Sequence, residues 1–271
     1  MARLSRRSAI QCERGRVNTE STPPGKGKLW VPDHVGQHYL AVLRRLHELL
    51  MPTTYLEIGC GKGPSLALAD CAVLAIDPRP RLDIGEAINR RPLFALYRMT
   101  SDEFFAQHDP AAVLGAPIDM AFLDGMHLCE YLLRDFINVE RCSHPRSTIV
   151  LHDCLPVEWP MADRTRSAHP PIRAHHKHSW AGDVWRTALL LKRRRPDLQI
   201  TAYAAPPTGL VCVTNLSPGS STLRDSYDHC LQEMMQQSLQ EMGIEALFSA
   251  LDVQPTSAFG GHQAASSPIN P

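Results

Sequence analysis

No apolar run in the chain approaches the roughly 20 residues needed to cross a bilayer, which excludes a helical membrane protein. Nor is there a Cys-x-x-Cys pair. The eight cysteines, Cys12, Cys60, Cys71, Cys129, Cys142, Cys154, Cys212 and Cys230, are scattered singly. That spread argues against a zinc ribbon or a disulfide framework and suits a reducing compartment, so a cytoplasmic location is expected. An excess of charge is missing as well, because 28 Lys and Arg balance 28 Asp and Glu over 271 residues. No global field then draws the chain to nucleic acid or acidic membranes. No basic stripe interleaved with aromatics marks a nucleic-acid face. No internal repeat is present, and nothing in the pattern specifies an oligomeric state.

What remains is an ordinary globular composition, 44% hydrophobic and 21% charged. Residues 1–28 carry seven Lys/Arg against two Glu. The Arg6–Arg7 pair lacks the apolar stretch that a signal peptide needs behind it, and the segment reads as a disordered basic leader. Residues 253–271, rich in Ser, Pro, Gly and Ala, read as a disordered tail. Between them, residues 29–252 alternate short apolar runs with helical periodicity, the pattern of a parallel α/β sheet. Strands are expected at 55–58, 73–76, 93–97, 118–123, 148–151, 198–203 and 210–214. Helices are expected at 34–50, 64–69, 128–142, 183–194 and 223–251. The short turn through Pro206-Pro207-Thr208-Gly209 makes the final strand pair antiparallel. The predicted fold is α/β and Rossmann-like, doubly wound, a mostly parallel seven-stranded sheet with an antiparallel last strand. Residues 155–178, broken by prolines and histidines, are too long for an ordinary connection and read as a lid or insertion.

The chemistry concentrates where strands end. Glu57-Ile58-Gly59-Cys60-Gly61-Lys62-Gly63 hands a strand to a helix, and its glycines permit a sharp turn and close ligand approach. The spacing is G-x-G-x-G, not the G-x-G-x-x-G of dinucleotide sites, and Lys62 lacks the following Ser/Thr of a phosphate loop. Glu57 would repel a pyrophosphate and suit a cationic ligand. Asp77, closing the next strand, stands where an acidic residue accepts ribose hydroxyls. S-adenosylmethionine, with an ammonium, a sulfonium and no phosphate, meets these conditions.

Residues 55–77 resemble the first two motifs of the class I S-adenosylmethionine-dependent methyltransferases. Phe122-Leu123-Asp124-Gly125-Met126-His127 and Leu151-His152-Asp153-Cys154 resemble a bacterial small-molecule and sugar methyltransferase subgroup with DG-x-H and HD motifs. The likeness spans roughly residues 35–215. It implies that Gly59, Gly61 and Gly63 line the methionine portion, that Asp77 holds the ribose, and that Ser101 and Asp102 contact adenine. It implies a methyl transfer to a hydroxyl of a small-molecule acceptor. The same resemblance extends to proteins associated with cephalosporin hydroxylation, and a non-catalytic S-adenosylmethionine-binding protein would share the loop.

Asp124 and Asp153 end strands expected to be neighbours, about 4.8 Å apart, and open at the carboxyl edge where such sheets bind ligands. Such a pair can bind a divalent metal such as Mg2+, hold the cofactor's amino group, or act as general base. Related O-methyltransferases use acids after these strands for magnesium, and His152 here replaces one of them. His127, three residues past Asp124, is a candidate base. Alternation along a strand predicts that His152 and Asp153 face opposite ways unless the strand has ended. The run His169, His175, His176, His178 reads as a solvated loop or a transition-metal site. Trp180 and Trp185 are candidates to wall the acceptor pocket, Asp183 a helix cap, and Arg193–Arg195 a basic helix end.

Overall fold

The computed structural model describes residues 27–83 and 91–259. The leader expected at residues 1–28, except its last two residues, lies outside them, as does the tail from 260 onward.

Strand β1 (Thr54–Ile58) is buried at every position, as befits a central strand covered on both faces. It pairs in parallel with β2 (Ala72–Ile76) on one side and β4 (Ile118–Leu123) on the other. Beyond β2 lies β3 (Phe94–Tyr97), and beyond β4 lies β5 (Ser143–His152), both parallel. Strand β7 (Leu210–Thr214) inserts antiparallel between β5 and β6 (Gln199–Tyr203). The sheet order is β3-β2-β1-β4-β5-β7-β6. The fold is thus the expected Rossmann-like seven-stranded sheet, and its order reverses between β1 and β4, where α/β sheets open a crevice for ligands.

Successive strand residues point to opposite faces, and the two cores follow that alternation. On one face, α1 (Tyr39–Leu50) packs Val42, Leu43 and Leu46 over Tyr55, Val73, Phe122 and Val150. On the other, α4 (Cys129–Arg141) and α5 (Trp185–Arg194) cover Leu56, Ile58, Ala121, Leu123 and Ile149. Two short helices precede β4. α2 (Ser101–Gln107) is closed by a Thr100–Glu103 capping box, and α3 (Pro110–Leu114) runs from an Asp109 cap to left-handed Gly115. Among the described residues, no helix is long and apolar enough to cross a membrane.

Local geometry departs from expectation at several places. The helix expected at 64–69 is a single 3₁₀ turn, Leu66–Leu68, followed by extended Ala69. The helix expected at 223–251 is four: α6 (Thr222–Asp225), α7 (Tyr227–Met235), α8 (Leu239–Met242) and α9 (Ile244–Leu251). A Ser238 cap and the positive φ of Gly243 break it. Residues 253–259, expected within the disordered tail, instead run beside β6. Gln254 exchanges backbone hydrogen bonds with Ala202 and Ala204, and Phe259 packs on Tyr203. At the other end Lys28 accepts from the Ile244 amide and pairs with Glu245.

Candidate functional site

The glycine loop leaves β1 at the sheet's carboxyl edge. Gly59 sits at φ 86°, and a Cβ added there would lie 2.1 Å from the carbonyl oxygen of Asp124. Only glycine lets β1's exit touch β4's exit this closely. Gly61 is different: among the described residues nothing lies within 4 Å of where its Cβ would be, so none of them covers that side of the loop. Asp77 holds the loop, its Oδ2 accepting from the Gly61 amide at 2.8 Å and its Oδ1 from the Arg79 amide at 2.7 Å. Glu57 lies behind the loop, fully buried, accepting from the Tyr55 hydroxyl at 2.8 Å and the Ser65 hydroxyl at 2.6 Å. Burial pushes its carboxyl up to about 7, although both hydroxyls oppose the shift. Its place is therefore that of a loop support. A direct ion pair with a bound cation would require it to leave these partners.

Asp124, His127, His152 and Asp153 form one cluster. His127 places Nε2 3.3 Å from Asp124 Oδ1 and Nδ1 3.2 Å from Asp153 Oδ2. His152 places Nδ1 3.0 Å from Asp124 Oδ1 and 3.3 Å from Asp153 Oδ2. Strand alternation would separate His152 from Asp153, but β5 ends at His152 and Asp153 turns to φ 61°. That left-handed turn brings both side chains onto Asp124. His127 is likewise left-handed, at φ 58°. Such conformations cost about 1–3 kcal/mol each in non-glycine residues and persist where surrounding contacts hold them.

Burial alone would raise Asp124, yet the charges of His152 and His127 hold it well below the usual carboxylate range. Burial would also depress His127, but Asp153 and Asp124 overrule it and lift the imidazole to about 9. His152 is raised well above its ordinary value by the same two carboxylates, against burial. Two carboxylates thus face two histidines in one buried cluster. The ligand atoms of Asp124, His152 and Asp153 lie within 4.8 Å of one another, a donor set that fits a divalent cation.

The segment 180–183, just before α5, closes this cluster from outside. The Trp180 ring stacks on His127 at 5.1 Å and 18°, and its carbonyl meets His127 Nδ1 at 3.1 Å. Gly182 permits this approach, since a Cβ there would stand 1.8 Å from the His127 carbonyl oxygen. Trp185, the other aromatic candidate, is instead core. Asp183 caps α4 by accepting from the Cys129 amide at 2.9 Å, and Arg164 reaches both Asp183 and Glu130 at 2.6 Å. Arg194 pairs with Glu233, and Arg195 is buried on Glu140, both structural.

The two residues expected at adenine both have partners within the chain. Asp102 gives both oxygens to Arg134, at 2.8 and 2.6 Å, tying α2 to α4. Ser101 hydrogen-bonds Asp135, whose carboxyl burial pushes up to about 7. Two participants escaped the sequence reading. The Thr208 hydroxyl donates to Asp153 Oδ1, and Tyr39 lays its ring 4.3 Å from that of His152. Thr208 was foreshadowed only by its turn, and Tyr39 read as one more apolar helix position.

No curated protein matches the chain. Solved structures similar to it include the O-methyltransferase TomG from Streptomyces achromogenes, involved in tomaymycin synthesis, in complex with S-adenosylmethionine. It is 17% identical, with a TM-score of 0.48, covering 69% of this chain and 84% of that one. The Podospora anserina methyltransferase PaMTH1, bound to S-adenosylhomocysteine, is 12% identical with a TM-score of 0.47, covering 66% and 78%. An O-methyltransferase from Bacillus cereus, in complex with S-adenosylhomocysteine, is 14% identical with a TM-score of 0.45, covering 68% and 84%. Residues 56–154, from within β1 through the glycine loop, Asp77, Asp124, His127, His152 and Asp153, match the family model of a methyltransferase domain.

Proposed function

We propose that the protein transfers the methyl group of S-adenosylmethionine to a hydroxyl of a small molecule, such as a sugar or secondary metabolite. One observation carries this reading: the glycine loop and the carboxylate–histidine cluster meet at the Gly59–Asp124 contact, on one edge of the sheet. A donor lying along the loop then has its reactive end beside groups that can orient an acceptor. Displacement at a methyl group needs chiefly such alignment.

In this reading the side of Gly61 that no described residue covers receives the cofactor, and Asp77 accepts its ribose hydroxyls. The Trp180 ring and His127 border the acceptor. Asp124, His152 and Asp153 would hold a divalent cation, Mg2+ or a softer ion that tolerates the imidazole. Such a cation lowers the pKa of a bound hydroxyl. His127, set between Asp124 and Asp153, would take the acceptor's proton as general base, with or without a cation at the cluster. Seven free cysteines among the described residues support a reducing, cytoplasmic setting.

The test is incubation with small-molecule extracts and methyl-labelled donor, with and without EDTA. Labelled product is expected. A cation role predicts loss with EDTA, recovery with Mg2+ or Mn2+, and loss in Asp153→Asn with cofactor binding retained. A His127 base without a cation predicts EDTA-insensitive turnover that collapses in His127→Ala. Tight NAD binding without binding of S-adenosylmethionine would overturn the reading.

A further inference from the structure

The histidine-bearing stretch of the insertion does not lie free in solvent. Residues 29–33 run along it: the Val31 amide donates to the Val157 carbonyl at 2.9 Å, the Trp159 amide to Leu29 at 3.1 Å, and Trp30 bridges Glu158. This pairing delivers Asp33 to the 3₁₀ turn Ala174–His176. There Asp33 Oδ2 lies 2.7 Å from His175 Nε2, and Oδ1 lies 3.1 Å from His176 Nε2. The imidazole rings stand edge to face at 4.1 Å. One ligand atom from each of the three residues falls within a 4.8 Å span.

The groups behind these three are what a metal site requires. His176 is 9% exposed, and its Nδ1 faces Glu158 Oε2 at 3.2 Å without the angle of a full hydrogen bond. Glu158 is fully buried and held by the Ile172 and Arg173 amides at 3.1 and 3.0 Å. A carboxylate placed behind one ring nitrogen leaves the other turned toward Asp33, the arrangement found behind metal-ligating histidines. Arg173 donates to Asp33 Oδ1 at 2.6 Å, so one carboxylate oxygen is oriented while Oδ2 remains toward His175.

We propose that Asp33, His175 and His176 form a second cation site, which takes a borderline transition ion such as Zn2+ or Co2+ and clasps residues 29–33 to the insertion. Two imidazoles and one carboxylate select such an ion over Mg2+ and leave a fourth tetrahedral position for water. The site shares no residue with the Asp124 cluster. It does not depend on the methyl-transfer reading.

Tag-free, metal-stripped protein carrying Asp124→Asn and Asp153→Asn is titrated with Co2+. One equivalent is expected to bind, with the visible bands of a low-symmetry nitrogen and oxygen site. Adding His175→Ala, an exposed change that leaves the core alone, removes that equivalent. Adding Glu158→Gln instead weakens it about 10- to 100-fold. Zn2+ raises the thermal transition of the first protein and not of the His175→Ala form. If the double-variant background does not fold, the otherwise unchanged chain serves, with total equivalents falling by one on His175→Ala. Equal stoichiometry and affinity with and without His175, or no Co2+ binding at this cluster, would overturn the proposal.

Discussion

Replacing Gly59 and Gly61 separately by alanine separates what the loop does for the fold from what it does for the cofactor. At Gly59 the new methyl meets backbone on the β4 exit, with the Asp124 carbonyl oxygen at 2.1 Å, its carbon at 2.6 Å and the Gly125 Cα at 2.8 Å. Backbone cannot rotate away as a side chain can. A left-handed non-glycine residue costs about 1–2 kcal/mol, and forcing atoms into a packed contact adds about 1–3 kcal/mol. Gly59→Ala should therefore lose about 2–5 kcal/mol, or roughly 4–20 °C of melting temperature at about 2–4 °C per kcal/mol for a chain this size. Gly61, at φ 49° with no described residue within 4 Å of an added Cβ, carries only the first cost, about 1–2 kcal/mol. If the cofactor lies against that side, Gly61→Ala should nonetheless weaken S-adenosylmethionine binding sharply. Urea unfolding measures the first quantity and calorimetric titration the second. A Gly59→Ala protein as stable as Gly61→Ala would refute the argument that this glycine exists for the β1–β4 contact. Unchanged cofactor affinity in Gly61→Ala would remove the cofactor from that face.

Asp77→Ala should weaken S-adenosylmethionine binding about 10- to 100-fold, from the loss of roughly 1.5–3 kcal/mol of hydrogen bonding to a charged acceptor; calorimetry reads it directly. His127, raised from 6.5 to about 9, contributes stability that is complete below pH 6.5 and lost as pH rises through about 9. Metal-free protein should show that decline in urea midpoint, and His127→Gln should flatten it; parallel curves would refute the coupling. Arg195→Ala leaves Glu140, whose oxygens accept from Arg195 at 2.7 and 2.8 Å, buried without its cation. A loss of about 3–5 kcal/mol is expected, and a change under about 1 kcal/mol in denaturant unfolding would contradict it.

Strand existence, the sheet class and the loop were legible because each is written in contiguous residues. Residues 55–58 and 118–123 declare themselves by apolar runs of strand length, and Gly59, Gly61 and Asp77 by spacing within one β-turn-β unit. The antiparallel placement of β7 was legible too, since a turn of a few residues admits no crossover. The site's composition was legible only in part. Asp124, His127 and Asp153 were nameable as strand-end residues, but period-2 alternation left open whether His152 and Asp153 share a side, because that turned on where the strand ends. The end of β5 at His152 and the left-handed turn of Asp153 decided it. Asp102, expected at adenine, also pairs with Arg134 across α2 and α4, a partner that no local pattern announces. For His175 and His176 the sequence left a solvated loop or a metal site open, and only the docking of residues 29–33 laid Asp33 against them. Local pattern reports which residues can form an element, because propensity and periodicity act over a few positions. Which polar groups find one another depends on where distant elements dock, and only the packed sheet with its insertion decides that.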